Sequence, residues 1–182
     1  MICGIDEAGR GTLAGSLFMA GVILEKPIEG LRDSKKISPK KREIFYKEII
    51  ENSKYHIYSA NSEIVDKFGL TKVIQIGLKE IMSNLKSEKY IFDGNSSYKI
   101  PNLEFLIGGD DIISEISAAS ILAKVSKDRE MFAFDKIYPK WNFAKHKGYG
   151  TKIHNEKIRE FGVSPIHRKS FKIKSLNQPS LF

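Results

Sequence analysis

One cysteine is present among 182 residues, and the longest apolar run, Leu17 to Leu24, is eight residues. A lone Cys3 cannot close an internal disulfide, which excludes a disulfide-stapled scaffold and points to a reducing, cytoplasmic setting. The run is far short of the ~20 residues a membrane helix needs. The chain also reaches Asp6 before an apolar core of signal-peptide length accumulates, so no membrane association is expected. Neither a Cys-x-x-Cys nor a His-Glu-x-x-His spacing occurs, so no zinc site competes for the metal-binding side chains. Internal repeats and low-complexity tracts are absent too.

Acidic residues are outnumbered: 22 Asp and Glu face 30 Lys and Arg, for a formal net charge of +8. That balance favours a polyanionic partner such as nucleic acid. With 41% hydrophobic residues the chain can build the core of one globular domain.

ICGID and SLFMAGVIL read as a hairpin of two strands. Ser38-Pro39 places a capping serine and an N1 proline at the start of a helix over residues 39–52, with Ile44, Phe45 and Ile49 at helical spacing. Lys40, Lys41 and Arg42 in its first turn oppose the helix dipole, which suggests an anion nearby. KYHIYSA reads as a third strand. A helical region over 62–86 follows, broken at Phe68-Gly69. KYIFDG ends a fourth strand at Asp93, and LEFLIGGDD reads as a fifth. From Ile112 to Ile137, Ala118, Ala119 and Ala123 with Ile116, Leu122 and Val125 describe a helix able to pack closely on a sheet. A hairpin followed by alternating strands and helices implies an α/β fold with a mixed sheet.

Acids cluster where strands end: Asp6 and Glu7, Asp93, then Asp110 and Asp111. Sites in open α/β sheets form outside strand ends, where distant segments converge. Four carboxylates together carry up to about −4 and repel one another unless cations intervene. Oxygen-only donors suit Mg²⁺ or Mn²⁺, and two divalent ions would balance the set. Adjacent strand residues face opposite ways, so Asp6 and Glu7 can serve one site only where the strand gives out at Ala8-Gly9. Taken singly, each acid is also compatible with a solvated loop end.

GRGTLA matches the dinucleotide fingerprint, and Gly4 to Gly9 has phosphate-loop spacing, but a strand follows where a helix is required and Gly-Lys-Ser/Thr is missing. Gly9-Arg10-Gly11 instead offers close backbone approach and a guanidinium fork for phosphate. HKGYGT sets His146, Lys147 and Tyr149 among glycines, a combination that grips a backbone and stacks on a sugar or base.

In order and at sensible spacing, GIDEAGRG (4–11), DSKK (33–36), FDG (92–94), GGD with EISAASILAKVSKDR (108–129), HKGYGT (146–151) and HRKSF (167–171) resemble the blocks of bacterial ribonuclease HII, the type 2 ribonuclease H family. The resemblance runs from residue 4 to about residue 172. It implies an RNase H-like fold: a mixed five-stranded sheet flanked by helices over residues 1–140, with a small helical, basic substrate-binding subdomain over 141–174. It also implies endonucleolytic cleavage of RNA in RNA–DNA hybrids and at ribonucleotides embedded in duplex DNA, giving 3′-OH and 5′-phosphate ends.

By position, the implied catalytic metal ligands are Asp6, Glu7, Asp93 and Asp110. Counting back from EISAAS selects Asp110 over Asp111. Gly9, Arg10, Gly11 and Tyr149 match elements that sense the ribose 2′-OH. Arg32, Ser34, Lys35, Lys36, Ser117 and Ser120 match segments near phosphates. Thr12 and Gly108 depart from the family's usual Pro and Lys, which bears on loop rigidity and phosphate contact.

The last residues, 175–182, read as a flexible tail. Its QPSLF resembles the short motif by which bacterial replication and repair proteins dock on the sliding clamp, with Gln178, Leu181 and Phe182 as anchors. A monomer is expected. Two other readings remain open: a non-catalytic nucleic-acid-binding protein, and a different two-metal phosphoryl-transfer enzyme on the same fold.

Overall fold

The computed structural model describes residues 1–31, 37–173 and 176. Its centre is a five-stranded sheet in the order β3-β2-β1-β4-β5. β1 (Ile2–Ala8) and β2 (Leu17–Leu24) form the antiparallel hairpin, in register from Gly4 opposite Val22 to Ala8 opposite Phe18. β3 (Ser53–Ala60) extends it antiparallel to β2. β4 (Lys89–Asp93) lies parallel to β1, and β5 (Leu103–Leu106) parallel to β4. The sheet is therefore mixed, and β1 is hydrogen-bonded on both sides.

Local chemistry sets the helices. α1 (Pro39–Asn52) starts at Pro39, with Ser38 Oγ accepting from the Lys41 amide at 3.3 Å. α2 (Ser62–Phe68) is capped by Asn61 and stopped by Gly69, after which α3 (Leu70–Asn84) begins. α4 (Ser114–Ile137) is the longest, at 24 residues. Two short helices, α5 (Phe143–His146) and α6 (Lys152–Phe161), form the C-terminal part.

Strand alternation splits the core into two layers. Cys3 and Ile5 of β1 pack with Val73, Ile74, Leu78 and Ile81 of α3. On the other face Ala8, Ala20 and Val22 meet Ala118, Ala119 and Leu122 of α4 and Phe45 and Ile49 of α1. Each fully buried Ile, Leu or Val contributes about 1.5–3 kcal/mol. A third cluster of Ala14, Met131, Phe143 and Ile166 joins the C-terminal part to the far end of α4.

LEFLIGGDD is not one strand. β5 stops at Leu106 because Gly108 takes a left-handed conformation (φ +70), and Gly109–Asp111 then form a short 3-10 turn. Among the described residues no helix is long and apolar enough to cross a membrane.

Candidate active site

Three strands deliver carboxylates to one place. Asp6 lies near the end of β1, Asp93 ends β4, and Asp110 sits on the turn after β5. One carboxylate oxygen from each lies within 4.8 Å of the other two. Asp110 is 1% exposed, whereas Asp111 faces solvent. Glu7 stands outside that closest set. Its Oε1 is 3.7 Å from Arg10 Nη1, and its Oε2 is buried without a hydrogen-bond partner.

The electrostatics follow from crowding and burial. Asp6 is held well above the usual carboxylate range by burial and then by the charge of Glu7, offset in part by a hydrogen bond from Ser120 on α4. Glu7 is pushed up to about 7 by burial, against the lowering effect of Arg10. Asp93 is raised by burial and by Asp110. It is oriented by the Gly108 and Gly109 amides, which donate to Asp93 Oδ1 at 3.0 and 3.4 Å.

Beside the carboxylates opens a cleft of ≈ 450 Å³ whose walls include Glu7, Gly9, Arg10, Gly11, Ser120 and Tyr149. Ser120 thus touches both Asp6 and the cleft. Arg10 and Gly11 are exposed. Gly9 takes φ +91, and an added Cβ would come 2.7 Å from the Ser16 carbonyl, so only glycine fits. Thr12, fully buried, donates its hydroxyl to the Gly9 carbonyl at 3.0 Å and closes the loop from inside. The Tyr149 ring is 40% exposed.

The other candidate residues are distributed differently. Ser117 is fully buried, with its hydroxyl turned to the backbone carbonyls of Leu31 and Asp110, so it ties α4 to its surroundings and offers nothing to a ligand in this arrangement. Lys147 folds back onto the Ala144 carbonyl, with its ammonium 4.2 Å from the Phe132 ring centroid. Arg32, Ser34, Lys35 and Lys36 lie outside the described residues, as do Gln178, Leu181 and Phe182.

His146 is buried, not a surface grip. Its Nε2 donates to the Trp141 carbonyl at 2.8 Å, its Nδ1 accepts from the Gly148 amide at 3.2 Å, and its ring stacks on His154 at 3.9 Å. His154 and His167 continue the set. The Ser164 amide donates to His167 Nδ1 at 2.8 Å, and His154 Nδ1 must donate to the Tyr149 carbonyl at 2.9 Å. The 3.0 Å contact between the two Nε2 atoms then has His167 as donor and His154 as acceptor. Every ring is neutral. Burial pushes His154 down to about 3 and His167 to about 4.

This chain of rings ends on the backbone of Tyr149, and the same segment is stitched to the glycine loop. The Leu13 amide donates to the Gly148 carbonyl and the Arg168 amide to the Leu13 carbonyl, both at 2.8 Å. Gly148 allows this approach, since a Cβ there would lie 2.4 Å from the Ala14 carbonyl oxygen. Asp66 of α2 fixes the following residues by accepting from the Lys169 and Ser170 amides.

Of four further basic residues, only Arg42 carries a role in the sequence reading, as part of a basic helix start that suggests an anion. Arg42 of α1 and Lys124 of α4 line the cleft, and Lys127 and Arg168 lie buried behind it. The basic first turn of α1 was a signal for Arg42. Nothing in the sequence marked a lysine or an arginine as interior.

A divalent cation suits these residues. The donors are all oxygen, Asp6, Glu7 and Asp93 are raised by burial and then by neighbouring carboxylates, both of which a cation offsets, and the buried Glu7 Oε2 lacks a partner. Carboxylates converging at three strand ends of a mixed sheet, next to a basic cleft, suit metal-dependent chemistry on a phosphate-bearing substrate. The family model for Ribonuclease HII matches residues 3–174. Ribonuclease HII of Sulfurovum sp. is 52% identical over 181 residues, covering 100% of this chain and 96% of its own. That of Campylobacter hominis is 55% identical over 177 residues, covering 96% of each. RNase HII of Archaeoglobus fulgidus, determined as a PCNA complex, superposes with a TM-score of 0.85 at 25% identity, covering 100% of this chain and 98% of that one.

The chain belongs to the ribonuclease HII family, with its RNase H-like α/β fold. It is a metal-dependent ribonuclease of the H type, whose family cleaves RNA in RNA–DNA hybrids endonucleolytically.

Proposed function

We propose that this ribonuclease cuts both RNA–DNA hybrids and duplex DNA carrying an embedded ribonucleotide, using two Mg²⁺ or Mn²⁺ ions held by Asp6, Glu7, Asp93 and Asp110, and leaves 3′-OH and 5′-phosphate ends. The observation that carries it is the convergence of Asp6, Asp93 and Asp110 beside a cleft walled by Gly9-Arg10-Gly11 and Tyr149. Bound divalent ions supply Lewis acidity and an activated water for phosphodiester hydrolysis. The protein positions. The Gly108 and Gly109 amides keep Asp93 aimed, and Ser120 does the same for Asp6. Arg10, Arg42 and Lys124 set positive charge along the cleft to meet phosphates. The exposed backbone of Gly11 and the half-open Tyr149 ring are suited to a sugar, and the 2′-OH is the group that separates RNA from DNA.

Residues 1–140 supply the carboxylates in this reading and residues 141–174 supply Tyr149, so the division into a catalytic and a substrate-binding part is functional. All named groups come from one chain, so a monomer suffices. Excision of ribonucleotides would place the enzyme in DNA replication and repair.

The test is cleavage of a duplex with one ribonucleotide in Mg²⁺, Mn²⁺ or EDTA, by wild type and Asp93→Asn. Cutting should require a divalent ion and fall in the variant by more than the ~10–100-fold typical of groups that only support a ligand. EDTA-resistant cutting or a fully active variant would refute the metal assignment.

A docking role for the QPSLF tail on a sliding clamp is a second part of the proposal. It rests on the five-residue match at Gln178, Leu181 and Phe182, and the Archaeoglobus fulgidus relative was determined in complex with PCNA. Deleting residues 178–182 should abolish binding to a bacterial clamp in a titration; undiminished affinity would end the idea.

A further inference from the structure

Lys127 and Arg168 are both fully buried, and among the described residues neither forms an ion pair. Carboxylates act on them only at longer range, Asp128 and Glu130 on Lys127, Asp66 and Glu130 on Arg168. An interior charge is costly unless its donors are satisfied. Both residues place donors on backbone carbonyls, Lys127 on Lys147 and Arg168 on Arg10 and Gly15, in the segments that carry Tyr149 and the glycine loop.

Lys127 Nζ donates to the Lys147 carbonyl at 2.5 Å and lies 4.6 Å from the centroid of the Tyr149 ring. Its stem runs beneath the glycine loop, where a Cβ placed on Gly9 would come 3.0 Å from Lys127 Cε. Arg168 reaches the other side of that loop. Its Nη1 donates to the Arg10 carbonyl at 3.1 Å, and Nε and Nη2 to the Gly15 carbonyl at 3.1 and 3.0 Å. Apolar residues of similar volume would fill the same space without burying charge, so stability gives no reason for two cations here. A fixed geometry does: one lysine runs its stem beneath Gly9 and sets its ammonium on the Lys147 carbonyl and the Tyr149 ring, and one guanidinium forks the Arg10 and Gly15 carbonyls.

We propose that Lys127 and Arg168 are positioning residues that set the separation between the Gly9–Gly11 loop and the Tyr149 ring, and through it the preference for ribose over deoxyribose. This rests on the reading of that loop and ring as the sugar-sensing elements. The two sugars differ by one hydroxyl, so discrimination depends on groups held within a fraction of an ångström.

The experiment compares binding of a duplex with one ribonucleotide and its all-deoxy counterpart, both in EDTA, alongside thermal melting of each protein. Lys127→Met should lower the ribose/deoxyribose affinity ratio about fivefold, the scale of one lost net hydrogen bond, with a melting midpoint unchanged or higher. Arg168→Lys, which keeps the charge but loses the fork, should lower the ratio too. An unchanged ratio in folded Lys127→Met, or failure of both Lys127→Met and Lys127→Gln to fold, overturns the proposal. Tyr149→Ala separates the two levels. If it lowers the ratio while Lys127→Met does not, positioning alone fails; if it leaves the ratio intact, the sugar-sensing reading fails with it.

Discussion

Acid should loosen the C-terminal segment through His154 and His167. Both rings are neutral in the fold, with pKa values depressed by burial to about 3 and about 4 from an ordinary 6.5. The unfolded chain therefore binds more protons than the folded one across this window, so their contribution is complete above about pH 6.5 and is lost as the pH falls towards the folded values. Between pH 7 and pH 5 each histidine gives up about 2 kcal/mol, at 1.36 kcal/mol per unit. Local opening of the segment reduces the sum, and we expect about 2–4 kcal/mol for the pair, a large part of the 5–15 kcal/mol typical of a domain. The structural cause is specific: a proton on His154 Nε2 turns the acceptor of the 3.0 Å contact into a second donor facing His167 Nε2–H. Glu7, raised to about 7, acts in the opposite direction, since its stabilisation by protonation is lost as the pH rises through that value. Urea unfolding in EDTA at pH 5, 6 and 7, for wild type and His154→Gln, separates the two effects. The wild type should lose stability more steeply with acid than the variant, by about 1 kcal/mol per pH unit. Equal slopes would refute the reasoning.

Gly148→Ala should cost about 1–3 kcal/mol, because the residue has φ +82 and the new Cβ meets the Ala14 carbonyl; urea unfolding at pH 7.5 reads it directly. Saturating Mg²⁺ or Mn²⁺ should stabilise the wild type by about 2.7 kcal/mol at a hundredfold excess over Kd and raise Asp93→Asn by clearly less, as followed by thermal melting. Duplex affinity should fall with salt on a log–log line of slope about −0.9 per phosphate contacted, and Arg42→Ala should flatten that slope by about one unit. A salt-independent affinity would remove Arg42 and Lys124 from the phosphate path.

The elements that position the site were legible where local chemistry decides. Ser38-Pro39 fixed the start of α1, Phe68-Gly69 the break between α2 and α3, and Ala118, Ala119 and Ala123 the close packing of α4. β5 was read too long because Ile107 continues an apolar run, yet it is 75% exposed and the left-handed Gly108 has already turned the chain. The aspartates could be proposed from strand ends alone, since topology brings such ends together. The interior of the C-terminal part could not. A basic, glycine-punctuated stretch looks solvated, and His146, His154 and His167 are buried through partners that no local pattern links, such as His146 on Trp141, 5 residues away, and His167 on His154, 13 residues away. Lys127 and Arg168 escaped notice, and Ser117 was expected near phosphates, for the same reason: their donors end on carbonyls from distant segments, which no local pattern announces.

α4 passes behind the whole site. Ser120 meets Asp6, Lys124 borders the cleft a turn later, and Lys127 supports the Tyr149 ring. Seven residues of helix separate the first from the last, a rise of about 10 Å. The offset between the carboxylates and the aromatic platform is thus a length of rigid rod, and loop motion on either side leaves it unchanged. Inserting a residue in α4 between Ser120 and Lys127 would rotate one end about 100° against the other. On the proposed reading of the loop and ring as sugar-sensing elements, the helix would serve as a gauge, setting how far from the inspected sugar the chain is cut.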